Sequence, residues 1–146
     1  MAVRKRNIGH VEKEIRDSRL GEALKIAIVG SRNFPHREKI EDYIKNLDKD
    51  IIIVSGGARG VDAIAEQTAR QLGLKTEIYP ADWKKYGKSA GYRRNIQIAE
   101  ALDRIVAFWD GKSKGTFHTI EIAKKQGKPV EIVGGEDQGG LSEQKN

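Results

Sequence analysis

The sequence predicts an α/β domain, a three-layer sandwich whose five-stranded, mainly parallel sheet carries helices on both faces. Short β-branched or aromatic runs alternate with segments of helical periodicity along the chain. The strand-like runs are apolar almost throughout, as strands buried on both faces are. Parallel neighbours can be joined only by crossovers, and the intervening helices supply them.

Residues 26–29 read as the first strand, followed by Ile40, Tyr43, Ile44 and Leu47 on one helical face. The second strand, 51–54, precedes Ile64, Ala65, Ala69 and Leu72, a helix that Gly73 stops. A third strand spans 76–79, and Ile98, Ala99 and Leu102 mark the third helix. The fourth strand, 105–109, leads to Ile120 and Ala123, in a helix ending at Gly127 ahead of Pro129, and 130–133 is the fifth strand. These elements make one domain over 25–135. Before it, Ile8, Val11 and Ile15 recur at helical spacing, so 1–24 is expected as a helical extension ending near Gly21. After it, 136–146 is glycine and polar residues around Leu141, expected as a flexible tail.

At 146 residues the chain is of single-domain size, and 38% apolar with 33% charged residues suits a folded soluble protein. It contains no cysteine, which excludes disulfides, thiolate zinc sites and a cysteine nucleophile and fits a reducing, cytoplasmic setting. No run approaches the ~20 apolar residues of a membrane span, and the basic start lacks the apolar segment of a secretory signal, so no membrane partner is expected. A net charge of +6 favours anionic partners, though it is also a common solubility device. His10, His36 and His118 have no ligand-spaced partner, so no metal site is expected.

In open parallel sheets ligands sit beyond the carboxyl ends of the strands, which directs attention to the segments after each strand. The second strand runs into Ser55-Gly56-Gly57-Ala58-Arg59-Gly60-Val61-Asp62, three glycines in a turn that opens a helix. Glycine lets backbone amides approach an anion closely, while the same turn can equally be a tight connection with Asp62 as helix cap. After the fourth strand, Asp110-Gly111-Lys112-Ser113-Lys114-Gly115-Thr116 repeats the arrangement, with Thr116 as cap or phosphate ligand. Neither segment is a P-loop, since Gly111 to Gly115 is one residue short and no lysine follows. Gly30-Ser31-Arg32, Asp82 and Arg94-Asn95 add cations, a carboxylate and an amide to the same edge. The expected ligand site is therefore Gly30, Ser31, Arg32, Ser55, Gly56, Gly57, Gly60, Asp62, Asp82, Arg94, Asn95, Gly115 and Thr116. No catalytic residue is assigned.

In the order and spacing of these motifs, together with Pro80-Ala81-Asp82-Trp83 and Phe108-Trp109-Asp110-Gly111, residues 25–133 resemble the SLOG superfamily. The likeness is to its short YpsA-related stand-alone proteins, with DNA-processing protein A and the Lonely Guy phosphoribohydrolases as distant relatives. The resemblance implies a Rossmann-like sheet that binds nucleotides or nucleotide-derived signals, often in phage, mobile-element or stress contexts. Lonely Guy enzymes carry a catalytic glutamate where this chain has Thr119, and Glu121 lies about 200° further around the helix.

Three readings follow. The first is binding or sensing of a phosphate-bearing nucleotide-derived small molecule, with no required cofactor but room for Mg²⁺ arriving with the phosphate at Asp62 or Asp82. The second is a phosphoribohydrolase-like enzyme, for which Asp62, Asp82 and Glu121 are the nearby carboxylates. The third is single-stranded nucleic-acid binding, because Trp83, Lys84, Lys85, Tyr86, Lys88, Tyr92, Arg93 and Arg94 interleave aromatics with cations. A homo-oligomer stays open.

Overall fold

The computed structural model describes residues 23–134, so the helical extension and the tail lie outside the described residues apart from Ala23 and Leu24. In chain order the elements are β1 (Lys25–Gly30), α1 (Arg37–Lys45), β2 (Ile52–Ser55), α2 (Val61–Leu72) and β3 (Lys75–Ile78). Then follow α3 (Trp83–Tyr86), a 3₁₀ turn (Gly87–Ser89), α4 (Ala90–Ala101), β4 (Arg104–Trp109), α5 (Lys114–Lys125) and β5 (Val130–Gly134).

The sheet order is β3-β2-β1-β4-β5, and each pairing is parallel. The expected strands are present with ends displaced by a residue or so. Tyr79 leaves β3 although its amide still donates to Ser55 O. The helical turns over 83–89 have no apolar periodicity to announce them; Asp82 begins them by accepting the Lys85 amide on Oδ1 at 3.1 Å.

Alternation along β1 divides the core. Ile26 and Ile28 face α1 and α2, packing with Phe34, Ile40, Ile44, Val61 and Ala65. Ala27 and Val29 face α4 and α5, packing with Ile98, Leu102, Ile120 and Ala123. Phe108, fully buried on β4, receives Phe34 and Tyr43 edge-on at centroid distances of 5.6 and 6.1 Å. The chain leaves β1 towards β2 and later returns to β4 on the other side of β1. The two connections therefore part between β1 and β4, opening a crevice at the carboxyl ends of the strands.

Candidate functional site

That crevice has a volume of about 240 Å³. Val29, Gly30 and Arg32 come to it from the end of β1, and Ala58, Arg59 and Asp62 from the turn between β2 and α2. Arg94, Asn95 and Ile98 of α4 and Ser113, Gly115, Thr116 and Thr119 at the start of α5 complete it. The two glycine-rich segments thus meet at one rim.

Close backbone approach is what lets them meet. A Cβ on Gly30 would stand 2.3 Å from Phe108 O and 2.6 Å from Val61 Cγ2, so only glycine lets α2 begin directly over the strand end. Gly60, at φ +75°, is as constrained: a Cβ there would lie 2.3 Å from Arg32 O. Ser31 is buried, its amide donating to Phe108 O at 3.0 Å and its Oγ accepting the Asp110 amide at 2.9 Å, which ties the end of β1 to the end of β4.

The turn over 55–60 is held from within. Ser55 Oγ donates to Glu66 Oε2 at 2.6 Å and accepts the Gly57 amide at 3.3 Å, while Asp62 Oδ2 accepts the Ala58 amide at 3.1 Å. The Gly57 and Ala58 amides therefore satisfy the protein's own side chains rather than an anion. Arg94 Nη1 donates to Gly56 O and its Nε to Asn95 Oδ1 at 3.1 Å, so this arginine fastens the turn to α4 as well as lining the crevice. Burial pushes the Asp62 carboxyl up from 3.8 to about 6. The Ala58 amide and the Arg94 charge pull it back, and the Glu66 charge adds to the rise.

At α5 the cap is Ser113, not Thr116. Asp110 Oδ1 accepts the Lys112 and Ser113 amides at 2.8 and 2.9 Å, and Ser113 Oγ accepts the Thr116 amide at 3.3 Å. Thr116, in the first turn, is buried and lines the crevice with its Oγ1 3.0 Å from Ser113 Oγ. The amides of Lys114 and Gly115 remain as the orphan donors of the helix start. Thr119 Oγ1 donates back to Gly115 O at 3.1 Å, while Glu121 is outside the crevice and approaches Lys124 at 3.9 Å.

Of the expected site residues, Gly30, Arg32, Asp62, Arg94, Asn95, Gly115 and Thr116 line the crevice. Ser31, Ser55, Gly56, Gly57 and Gly60 are not among the lining residues: Ser31 and Ser55 are buried and hold the strand end and the turn, and the three glycines sit in the turn itself, Gly57 exposed beside Ile78. Asp82 is not among the lining residues and serves as the cap of α3. Arg59 and Ser113 were missed, although Arg59 stands inside the glycine turn and Ser113 precedes a helical run by the spacing of a capping residue. Arg32 and Arg59 are exposed and form no hydrogen bond or ion pair among the described residues. Among those residues no cluster of three or more histidines or carboxylates could hold a metal, and no helix is long and apolar enough to cross a membrane.

The sequence model of the YspA, cpYpsA-related SLOG family matches residues 24–86. The chain is 38% identical over 116 residues to the Gene 61 protein of Mycobacterium phage D29, covering 73% of this chain and 93% of that protein. DNA processing protein A of Streptococcus pneumoniae superposes with a TM-score of 0.69 at 26% identity, over 82% of this chain and 53% of its own. The DNA processing protein A of Helicobacter pylori, solved for its single-stranded DNA binding mode, gives 0.56 at 24% identity over 75% of this chain and 65% of its own. The chain spans about half the length of the pneumococcal structure.

Proposed function

The chain belongs to the YspA, cpYpsA-related SLOG family, and from that premise we propose that its crevice binds the phosphate of a nucleotide or nucleotide-derived ligand. The observation that carries this reading is the convergence of Arg32, Arg59 and Arg94 with the start of α5 at the β1/β4 switch point.

The magnitudes agree. A helix start is worth about 0.3–1 kcal/mol to an anion, and a millimolar dissociation constant needs about 4 kcal/mol. The guanidiniums of Arg32 and Arg59, unpartnered among the described residues and worth about 1.5–3 kcal/mol per charged hydrogen bond, bring the sum to about 3–7 kcal/mol, a range that brackets millimolar affinity and extends to tighter binding. The volume of 240 Å³ is below the ~300–1,000 Å³ of pockets that enclose a whole small molecule, so it suits a phosphate and its sugar with the base outside.

Binding rather than hydrolysis is favoured because Thr119 occupies the glutamate position of the Lonely Guy pattern and Asp62 is committed to the Ala58 amide. A thermal-shift panel of nucleoside monophosphates, dinucleotides and cyclic nucleotides tests the proposal. A ligand at about 100 times its dissociation constant adds about 2.7 kcal/mol, a rise of several degrees. The reading fails if nothing in the panel shifts melting, or if the Arg32→Ala/Arg59→Ala protein keeps the shift.

A further inference from the structure

Alongside the crevice the protein exposes a run of aromatic rings that the phosphate reading leaves unused. Trp83, Tyr92 and Phe117 are 59%, 60% and 49% exposed. Single exposed aromatics are unremarkable, but these three are each seated on a backing group. Trp83 lies over Gly91, whose absent Cβ would stand 3.3 Å from its ring. Tyr92 stacks on His118 at 3.7 Å between centroids with 24° between planes. Phe117 stacks on Trp109 at 5.9 Å and 30°.

A ring supported on one face and open on the other is preorganised to take a further planar group. The supports also connect to the crevice. Asn95 Nδ2 is 3.1 Å from His118 Nδ1 and 3.4 Å from Gly115 O, and Trp109 Nε1 donates to Ser113 O at 3.1 Å. Both Asn95 and Ser113 line the crevice.

The charges beside the rings are mostly cationic, and the two carboxylates next to them, Asp82 and Asp110, are spent on the Lys85 amide and on the Lys112 and Ser113 amides. Lys84, Lys85, Lys88 and Arg93 are all exposed, and the Arg93 and Lys85 cations sit over Tyr86 at 4.3 and 5.1 Å. Cations spread over α3, the 3₁₀ turn and α4 extend beyond the reach of one phosphate in the crevice. They match a chain of phosphates carrying unpaired bases.

We propose that this α3–α4–α5 face binds single-stranded nucleic acid, successive bases stacking on Trp83, Tyr92 and Phe117 while the flanking cations track the backbone. It goes beyond the crevice reading and does not depend on it, since none of the three rings lines the crevice.

The test is fluorescence anisotropy of an end-labelled oligothymidylate about 12 nucleotides long, against a duplex of equal length, with the full chain. Binding should favour the single strand and weaken with rising salt. Trp83→Ala and Tyr92→Ala should each weaken it roughly tenfold, whereas Tyr92→Phe, which keeps the ring, should not. Intrinsic tryptophan fluorescence should be quenched by the oligomer, and Trp83→Phe should remove most of the quench while retaining binding.

Unchanged melting of the alanine variants shows that they are folded. Their unchanged shift with mononucleotides separates this surface from the crevice. Three results overturn the proposal: oligomer affinity unaffected in the Trp83→Ala/Tyr92→Ala protein, equal affinity for duplex, or sedimentation showing these rings buried between two copies in a dimer that Tyr92→Ala dissociates. Loss of the mononucleotide shift in the arginine variants with oligomer binding intact leaves it standing.

Discussion

Replacing Asp62 with asparagine isolates the energetic consequence of seating a carboxyl beneath the crevice. Asp62 is 6% exposed and its pKa is pushed from 3.8 to about 6, with burial the largest cause. The folded state thus binds this proton more tightly than the unfolded chain, so the associated stability is complete below the unfolded pKa near 3.8 and is lost as pH rises through about 6. That separation is worth about 3 kcal/mol. Asparagine can still accept the Ala58 amide but has no such proton. Urea unfolding of both proteins from about pH 3.5 to about pH 7.5 should therefore show the free-energy difference moving by about 3 kcal/mol in favour of Asp62→Asn. Titrating groups that do not interact with Asp62 cancel in that difference, and Glu66 is the carboxylate neighbour that does not. Curves that stay parallel within ~0.5 kcal/mol, or diverge the other way, would refute burial as the dominant influence and leave the Ala58 amide and the Arg94 charge in its place.

An anion entering the crevice should raise the Asp62 pKa further. Titration calorimetry of a bound nucleotide near pH 6.5, in two buffers of different ionisation enthalpy, should show proton uptake beyond that of the ligand itself, and equal enthalpies would contradict it. Gly30→Ala should cost about 1–3 kcal/mol in the urea midpoint, because the new methyl meets the Phe108 carbonyl at 2.3 Å. Gly73→Ala, at φ +80° with nothing within 4 Å, should lose only the left-handed backbone preference of about 1–2 kcal/mol, and a larger loss there than at Gly30 would contradict the packing argument. Ser113→Ala should lower stability by about 1 kcal/mol through loss of the α5 cap, seen as a fall of a few degrees in Tm; no change would show that Thr116 or water substitutes for it.

Much of the fold is legible in the sequence because parallel strands buried on both faces must be apolar and their crossover helices must show one apolar stripe. Ile26 to Val29 and Ile105 to Phe108 carry the first signal, Ile64, Ala65 and Ala69 the second. The site is legible in its location but not in the direction of its donors. Three glycines between 56 and 60 suggest amides turned towards an anion, yet the Gly57 and Ala58 amides turn to Ser55 and Asp62. That direction depends on Asp62 being carried into the interior by α2, which no spacing in the turn records. Asp82 misled for a related reason: a carboxylate after a strand reads alike whether it meets a ligand or caps a four-residue helix.

A Cβ on Gly60 would run into the main chain of Arg32, so the loop after β1 and the loop after β2 pass one another with no room for a side chain between them. The two loops cannot draw closer at this point, and a side-chain change at Arg32 alters the chemistry of the rim without disturbing that backbone contact. Loop grafts at this rim must accordingly keep glycine at position 60 or move the Arg32 main chain with it.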